Sequence, residues 1–368
     1  MGGQLFVGVM SGTSLDGVDA VIADFAPPSG AVCATLGAAH IPYPPALHDE
    51  LHALQASGPD ELARSARASL ALADLYADAI GGALADAGVR AADVVAAGVH
   101  GQTVRHRPGD GWTVQLNNAA RVAERAGITV VADFRSRDVA AGGHGAPLVP
   151  AFHRALFGVG RVHRVVINIG GIANVTDLPL DGAVRGFDTG PGNALLDLWH
   201  ARHRGGAYDA AGAWAAAGRV DPVLLAHLLA EPYFSAAPPK STGRDLFNAE
   251  WLDARLAGFA QSPRDVQATL VALTARTIAD AIRKHAPGAA DVLVGGGGAH
   301  NGALLASLTA ELAPRTVATT AALGVAVEHV ESLAFAWLAR ATLAGESGNV
   351  PAVTGARGPR VLGAIYPK

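Results

Sequence analysis

LFVGVMSGTSLDGVDAVIADF, residues 5–25, holds two apolar runs of strand length, 5–10 and 18–25, joined by a turn dense in Gly, Ser, Thr and Asp. The plan returns at RVVINIGGIANVTDL, residues 164–178, where a strand, the small-residue turn Gly170-Gly171-Ile172-Ala173-Asn174 and a second strand follow one another. The two stretches share a pattern with barely any identity. Elsewhere, strand-length apolar runs at 94–99 and 128–133 alternate with helical periodicity, as at 59–88, and residues 291–312 read as strand, glycine turn and helix. This alternation predicts an α/β fold. Two halves that each open on such a hairpin predict two related lobes around a cleft, the usual ligand position in α/β folds. The expected first lobe is 1–134, with its hairpin at 8–25, completed by 346–368. The second is 135–345, with its hairpin at 164–178 and a glycine turn at 294–301.

Composition sets the outer bounds. The 368 residues are 50% hydrophobic and 16% charged, ample for two buried cores. A net charge of −4 speaks against a nucleic-acid partner, which needs clustered Lys and Arg. Cys33 is the single cysteine, so no intramolecular disulfide and no cysteine metal cluster can form. The start, MGGQLFVGVMSGTS, lacks a basic region ahead of an apolar stretch, and the apolar run 70–84 is broken by Asp and Tyr. The expectation is a cytoplasmic protein without a membrane span.

Three motifs carry chemistry. In Ser11-Gly12-Thr13-Ser14-Leu15-Asp16-Gly17-Val18-Asp19, glycines allow close backbone approach to a phosphate, hydroxyls can donate to it, and Asp16 and Asp19 can hold magnesium. An ordinary hairpin turn uses the same residue types but is usually shorter. No Gly-Lys-Ser/Thr follows, so this is not a Walker loop. Gly295-Gly296-Gly297-Gly298-Ala299-His300-Asn301 lies between a strand and a helix, where bare backbone suits a nucleotide better than a mere connector. Asp188, in Gly186-Phe187-Asp188-Thr189-Gly190-Pro191-Gly192-Asn193, is a candidate general base, with a helix cap as the competing role. Arg135-Ser136-Arg137-Asp138, with 142–147, and the segment 239–245 are candidate anion clamps or solvated loops. The fourteen histidines show no paired ligand spacing.

Several long segments resemble the anhydro-N-acetylmuramic acid kinase family: GVMSGTSLDGVD (8–19), HGQTVRH (100–106), ADFRSRDVAAGGHGAPLVPAFH (132–153), NIGGIANVTDL (168–178), GFDTGPGNALLDLW (186–199), PPKSTGRDLFN (238–248), GGGAHN (296–301) and the C-terminal 331–339 and 349–367. The resemblance runs from the first strand to the last residues. It implies the two ribonuclease-H-like lobes of the sugar kinase, Hsp70 and actin superfamily, closing on ATP and a sugar. Nucleotide contacts are then expected from Gly12, Thr13, Ser14, Leu15, Asp16, Gly17, Val18 and Asp19 in the first hairpin. Gly170, Gly171 and Asn174 would add to these from the second, and Gly296, Gly297 and Asn301 from the glycine turn. Sugar contacts are expected from His100, Gln102, Arg135, Asp138, Gly190 and Asn193, and magnesium from Asp16 and Asp19.

The reaction so implied consumes ATP, water and the 1,6-anhydro amino sugar, with Asp188 as the base for water and Glu331 in support near the triphosphate. A homodimer is also compatible with the resemblance. His144 replaces the glutamine expected in AAGGQGAPLVP, and Glu328-His329-Val330 departs from the usual residues ahead of Glu331. Both put fine substrate contacts in question and leave the reaction intact. The competing functions are a kinase of an ordinary amino sugar and a non-catalytic, actin-like ATP-binding module.

Overall fold

The computed structural model describes residues 4–12, 15–26, 33–158, 162–238, 240–243 and 245–368. The chain divides into two compact units, Met1–Leu156 with His329–Lys368, and Phe157–Glu328.

In the first unit, β1 (Leu5–Met10), β2 (Gly17–Asp24) and β3 (Ala34–Pro42) form an antiparallel meander. Against β1, β4 (Val94–Val99) pairs in parallel, followed by a short hairpin of β5 (Gln102–Arg107) and β6 (Trp112–Leu116), and then β7 (Val130–Ala132), parallel to β4. The C-terminal strand Ala364–Tyr366 closes the sheet antiparallel to β7. The second unit orders its strands as β10-β9-β8-β11-β12, from β8 (Arg164–Ile169), β9 (Ile172–Leu178), β10 (Arg185–Pro191), β11 (Asp291–Gly295) and β12 (Thr316–Thr319). Here too the first three strands are antiparallel and the last two parallel. Both sheets therefore share the 3-2-1-4-5 order of ribonuclease-H-like domains. The duplication expected from the two hairpins is real at the level of topology.

The expected boundaries at 134/135 and 345/346 need correction, because residues 135–156 and 329–345 belong to the first unit. The physical reason is packing. The helix Val330–Leu343 lies on β1 and β4, and it can do so because Gly8 and Gly98 have no side chain. A Cβ on either would overlap the carbonyl of Ser332 or Phe335. Asp138, fully buried in the helix Ser136–Ala140, accepts hydrogen bonds from Asn349 Nδ2 (2.6 Å) and Thr354 Oγ1 (2.8 Å) and so ties that helix to the chain's end.

The helix Glu61–Ala87 is long and apolar enough to cross a membrane by length and composition. Its apolar face, including Leu72, Tyr76, Ile80 and Ala83, is instead buried in the first unit's core against β2 and β3. The second core gathers Val165, Ile167 and Phe187 with the helix Pro263–His285. Each fully buried aliphatic or aromatic side chain stabilises by roughly 1.5–3 kcal/mol relative to exposure.

Candidate functional site

The turn between β1 and β2 is held from beneath. Ser11 Oγ lies 2.8 Å from the Tyr76 hydroxyl and 3.2 Å from the Gly101 carbonyl. Gln102 Nε2 donates to the Gly12 carbonyl at 3.0 Å, and its Oε1 accepts from the Tyr43 hydroxyl at 2.9 Å. His100 Nδ1 lies 3.2 Å from the Ser11 carbonyl, while its Nε2 accepts from the Arg135 guanidinium at 2.8 and 3.0 Å. That arrangement requires a neutral imidazole, with its proton on Nδ1. Burial, followed by the Arg135 charge, accordingly holds His100 well below its ordinary pKa. Arg135 is itself pulled down to about 10 by burial, and also donates to the Gly145 carbonyl at 2.7 Å.

His100, Gln102, Arg135 and Asp138 were expected at the sugar. In the structure these side chains spend polar atoms on the protein itself. His100, Gln102 and Asp138 are buried, and Asp138 also accepts from the Gly145 amide at 2.8 Å. They shape the turn and the 135–145 segment.

Within the turn, Thr13 and Ser14 lie outside the described residues. Leu15 takes a left-handed φ of 58° and buries its side chain. Val18 is fully buried, and Gly17 is required because a Cβ there would overlap the Ile41 carbonyl of β3. Asp16 is exposed and Asp19 partly exposed, the latter with its Oδ1 2.8 Å from His40 Nδ1. Glu331 sits in the first turn of Val330–Leu343. Its pKa is raised, mainly by burial. Arg135 opposes the rise, while the nearby negative charges of Asp19 and Asp16 add to it. The first unit thus gathers Asp16, Asp19, Glu331 and Arg135 within electrostatic reach of one another.

In the second unit, the Gly170-Gly171 turn is pinned by the start of the helix Ala194–Arg204. The Gly170 carbonyl accepts from the Asn193 amide (2.8 Å), and the Gly171 carbonyl accepts from those of Gly192 and Ala194 (2.9 and 3.0 Å). Asn193 Nδ2 reaches back to the Ile169 carbonyl at 3.2 Å. Asn174 faces Asn168 across the β8–β9 ladder.

The glycines sort into two kinds. Cβ atoms on Gly192, Gly296 or Gly298 would overlap backbone or side chains of Gly170, Asn168 or Ile169, so packing alone requires those residues to be glycine. Gly190 combines a φ of 154° with a close approach to the Phe234 ring. Gly170 and Gly297 are different: a Cβ there would find nothing nearer than 3.6 and 3.8 Å. Their bare backbone has no internal explanation and suits the close approach of a ligand. Asn301 caps the helix Gly302–Leu312, its Oδ1 accepting from the Leu304 amide at 3.0 Å, so its side-chain oxygen is already used.

Asp188 lies within β10, on the edge of the sheet, and is not a helix cap. The outer edge of β10 is completed by a segment absent from the sequence pattern: Asp188 N donates to the Lys240 carbonyl (3.2 Å), and the Tyr233 hydroxyl donates to the Asp188 carbonyl (2.9 Å). The same segment holds the carboxylate, whose Oδ2 accepts from Ser241 Oγ (2.8 Å) and the Thr242 amide (3.0 Å). Oδ1 takes no hydrogen bond from the described residues. Burial raises the Asp188 pKa, against the Thr242 and Ser241 hydrogen bonds and the Lys240 charge. Thr242 Oγ1 is buried without a hydrogen-bond partner among the described residues. One oxygen fixed, one oxygen free and a proton affinity above the usual carboxylate range are what a general base requires. The 239–245 segment drew notice in the sequence as an anion clamp or solvated loop and as part of the family resemblance, and no signal there pointed to Asp188. Pro239 and Arg244 lie outside the described residues.

Among the described residues no group of three or more His, Cys, Asp or Glu side chains is placed to hold a metal. A magnesium ion that keeps most of its water and binds phosphate oxygens needs only one or two carboxylates, and Asp16 and Asp19 fit that demand.

A family model described as Anhydro-N-acetylmuramic acid kinase matches residues 4–368. The anhydro-N-acetylmuramic acid kinase of Cupriavidus pinatubonensis is 58% identical over 374 residues, covering 100% of this chain and 99% of that one. That of Bordetella petrii is 57% identical over 369 residues, covering 99% and 97%. Among solved structures, component A of the (R)-2-hydroxyglutaryl-CoA dehydratase of Acidaminococcus fermentans superposes with a TM-score of 0.48 at 14% identity, over 90% of this chain and 96% of that one. A likeness of that size adds nothing to the strand order described above.

Proposed function

Because the chain belongs to the anhydro-N-acetylmuramic acid kinase family, we propose that it opens 1,6-anhydro-N-acetylmuramic acid with water and phosphorylates it at C6 at the expense of ATP, with Asp188 as the base. The product is N-acetylmuramic acid 6-phosphate, an intermediate of cell-wall recycling. The observation that carries the assignment of the base is the Asp188 carboxylate, gripped at Oδ2 by Ser241 and Thr242 and open at Oδ1.

Asp188 Oδ1 accepts a proton from the water whose oxygen bonds to C1 as the C1–O6 bond breaks. The freed O6 takes the γ-phosphoryl group of bound ATP, and ADP leaves; Asp16 and Asp19 would hold a magnesium ion, which would supply positive charge to offset that of the phosphates. Gly170 and Gly297 give the nucleotide bare backbone. His100 and Gln102 fix the Ser11–Gly12 carbonyls and so orient the turn, and Arg135 holds His100 in its neutral form. Glu331 tempers the local positive charge beside Arg135. Phosphorylation at C6 requires ring opening, since the anhydro bridge leaves no free 6-hydroxyl.

Mass analysis of the product formed in oxygen-18 water tests this reading. One solvent oxygen at C1 and none in the phosphate ester bridge are expected. Label in the bridge, or a phosphorylated product with its anhydro ring intact, overturns the mechanism.

A further inference from the structure

Between the helix Pro263–His285 and the segment 229–240, the second unit has a half-open pocket of about 220 Å³ whose polar lining comes mainly from Lys240, Thr277, Asp280, Lys284 and His285, with Phe234 among its apolar walls. The Phe187 ring packs edge-on against His285, with ring centroids 5.1 Å apart. Side chains alternate along a strand, so Phe187 and Asp188 point to opposite faces of β10, although the Lys240 charge still acts on the Asp188 carboxylate.

The cavity has an excess of positive groups. Asp280, its one carboxylate, is paired with Arg283 Nη1 at 2.5 Å. Lys240 Nζ donates to the carbonyls of Tyr233 (3.0 Å) and Phe234 (3.3 Å) and lies 4.5 Å from the Tyr233 ring centroid, with no carboxylate among its hydrogen-bond partners in the described residues. Among the described residues, Lys284 Nζ makes one long hydrogen bond, 3.5 Å to the Ser235 carbonyl. Burial and the neighbouring Lys284 lower the Lys240 pKa, so the two ammonium groups feel each other's repulsion. His285 is likewise lowered, by burial first and then by Lys284, Lys240 and Arg185, and so offers a hydrogen bond more readily than a charge. Two ammonium groups and His285 line a pocket whose one carboxylate among the described residues is paired with Arg283, while the charge of Asp188 also acts on Lys240.

We propose that this cavity binds a small dianionic oxyanion, of which inorganic phosphate is the simplest form, through Lys240, Lys284 and His285. Its occupancy reaches Asp188 through one residue. Lys240 lines the cavity with its side chain and holds the Asp188 amide with its carbonyl, and the next two residues hold the Asp188 carboxylate. The site is therefore placed to report the level of a phosphorylated compound to the base.

The test is calorimetric titration of the full chain with inorganic phosphate at constant ionic strength set by chloride, with a non-hydrolysable ATP analogue present to fill nucleotide phosphate positions. Wild type should bind saturably at one site. Lys284→Met should weaken this by at least about tenfold, the loss of one charge-assisted hydrogen bond, and Lys284→Arg should retain it. Lys284 is exposed, so both variants are expected to fold, and phosphate-free turnover should match wild type. Absence of saturable heat in wild type, or equal affinity in all three proteins, overturns the proposal. The comparison needs no turnover, so it stands apart from the kinase assignment.

Discussion

Replacing Asp188 by Asn separates the chemical role of the carboxylate from its structural one. The asparagine carbonyl can occupy the Oδ2 position and keep the hydrogen bonds from Ser241 Oγ and the Thr242 amide, so the Lys240–Thr242 segment should stay docked on β10. The amide replaces Oδ1, the oxygen with no hydrogen bond from the described residues, and cannot accept a proton. Loss of a general base costs about 10²–10⁴ in rate, or roughly 3–5 kcal/mol in the barrier at 1.36 kcal/mol per decade. Stability should move little or slightly upward. Burial dominates the raised pKa, so the folded state favours the protonated carboxyl; its contribution to stability is present at low pH and is lost as pH rises through the folded pKa. A neutral amide escapes that cost. The same direction sets the pH profile: wild-type activity should rise as Asp188 ionises, with its acid limb above the usual carboxylate range, and that limb should vanish in the variant. The assays are single-turnover product formation, nucleotide binding by calorimetry and thermal melting. Turnover within threefold of wild type would falsify the role assigned to Asp188, and a large drop in melting temperature would show that the carboxylate's charge is structural.

Two further perturbations follow from the same geometry. Gly297→Ala should leave stability near wild type, because nothing lies within 3.8 Å of its Cβ position, yet weaken nucleotide binding several-fold; Gly298→Ala, driven into Ile169, should instead cost about 1–3 kcal/mol in denaturant melts. Equal effects of the two on binding and stability would remove the argument for nucleotide contact at Gly297. Asp138→Ala strands three buried donors, from Gly145, Asn349 and Thr354, and should destabilise the first unit by about 3–5 kcal/mol in chemical denaturation. A cost below about 1 kcal/mol would mean that water replaces the lost acceptor.

The local hairpins and the central strands were legible in sequence because their signals are local. Apolar runs at 5–10, 94–99 and 164–169 coincide with β1, β4 and β8, and the small-residue turns between strands mark both hairpins. The duplicated hairpin pattern was enough to expect two related lobes, whereas the strand order that the two sheets share was implied only by the family resemblance. The sequence also picked out Asp188 as a carboxylate worth weighing, through its glycine and proline setting.

Tertiary structure decided the rest. RGFDTGP, whose Asp188 the sequence offers as a base or a helix cap, forms β10, because an edge strand tolerates Gly and Pro when its outer side is completed by other groups. Those groups are Tyr233 and Lys240, 45 and 52 positions along the chain from Asp188, and no periodicity links them. Which polar residues are free to meet a ligand is equally invisible in one dimension. His100, Gln102 and Asn301 look like binding residues, but the first two hold the Ser11–Gly12 turn and the third caps a helix. The domain boundary follows the same logic: the helix Val330–Leu343 belongs with β1 because Gly8 and Gly98 let its backbone approach, a contact spanning more than 230 residues of chain. A sequence records the groups and their local preferences, whereas the burial that leaves Asp188 Oδ1 open while spending the polar atoms of its neighbours exists only once distant segments pack together.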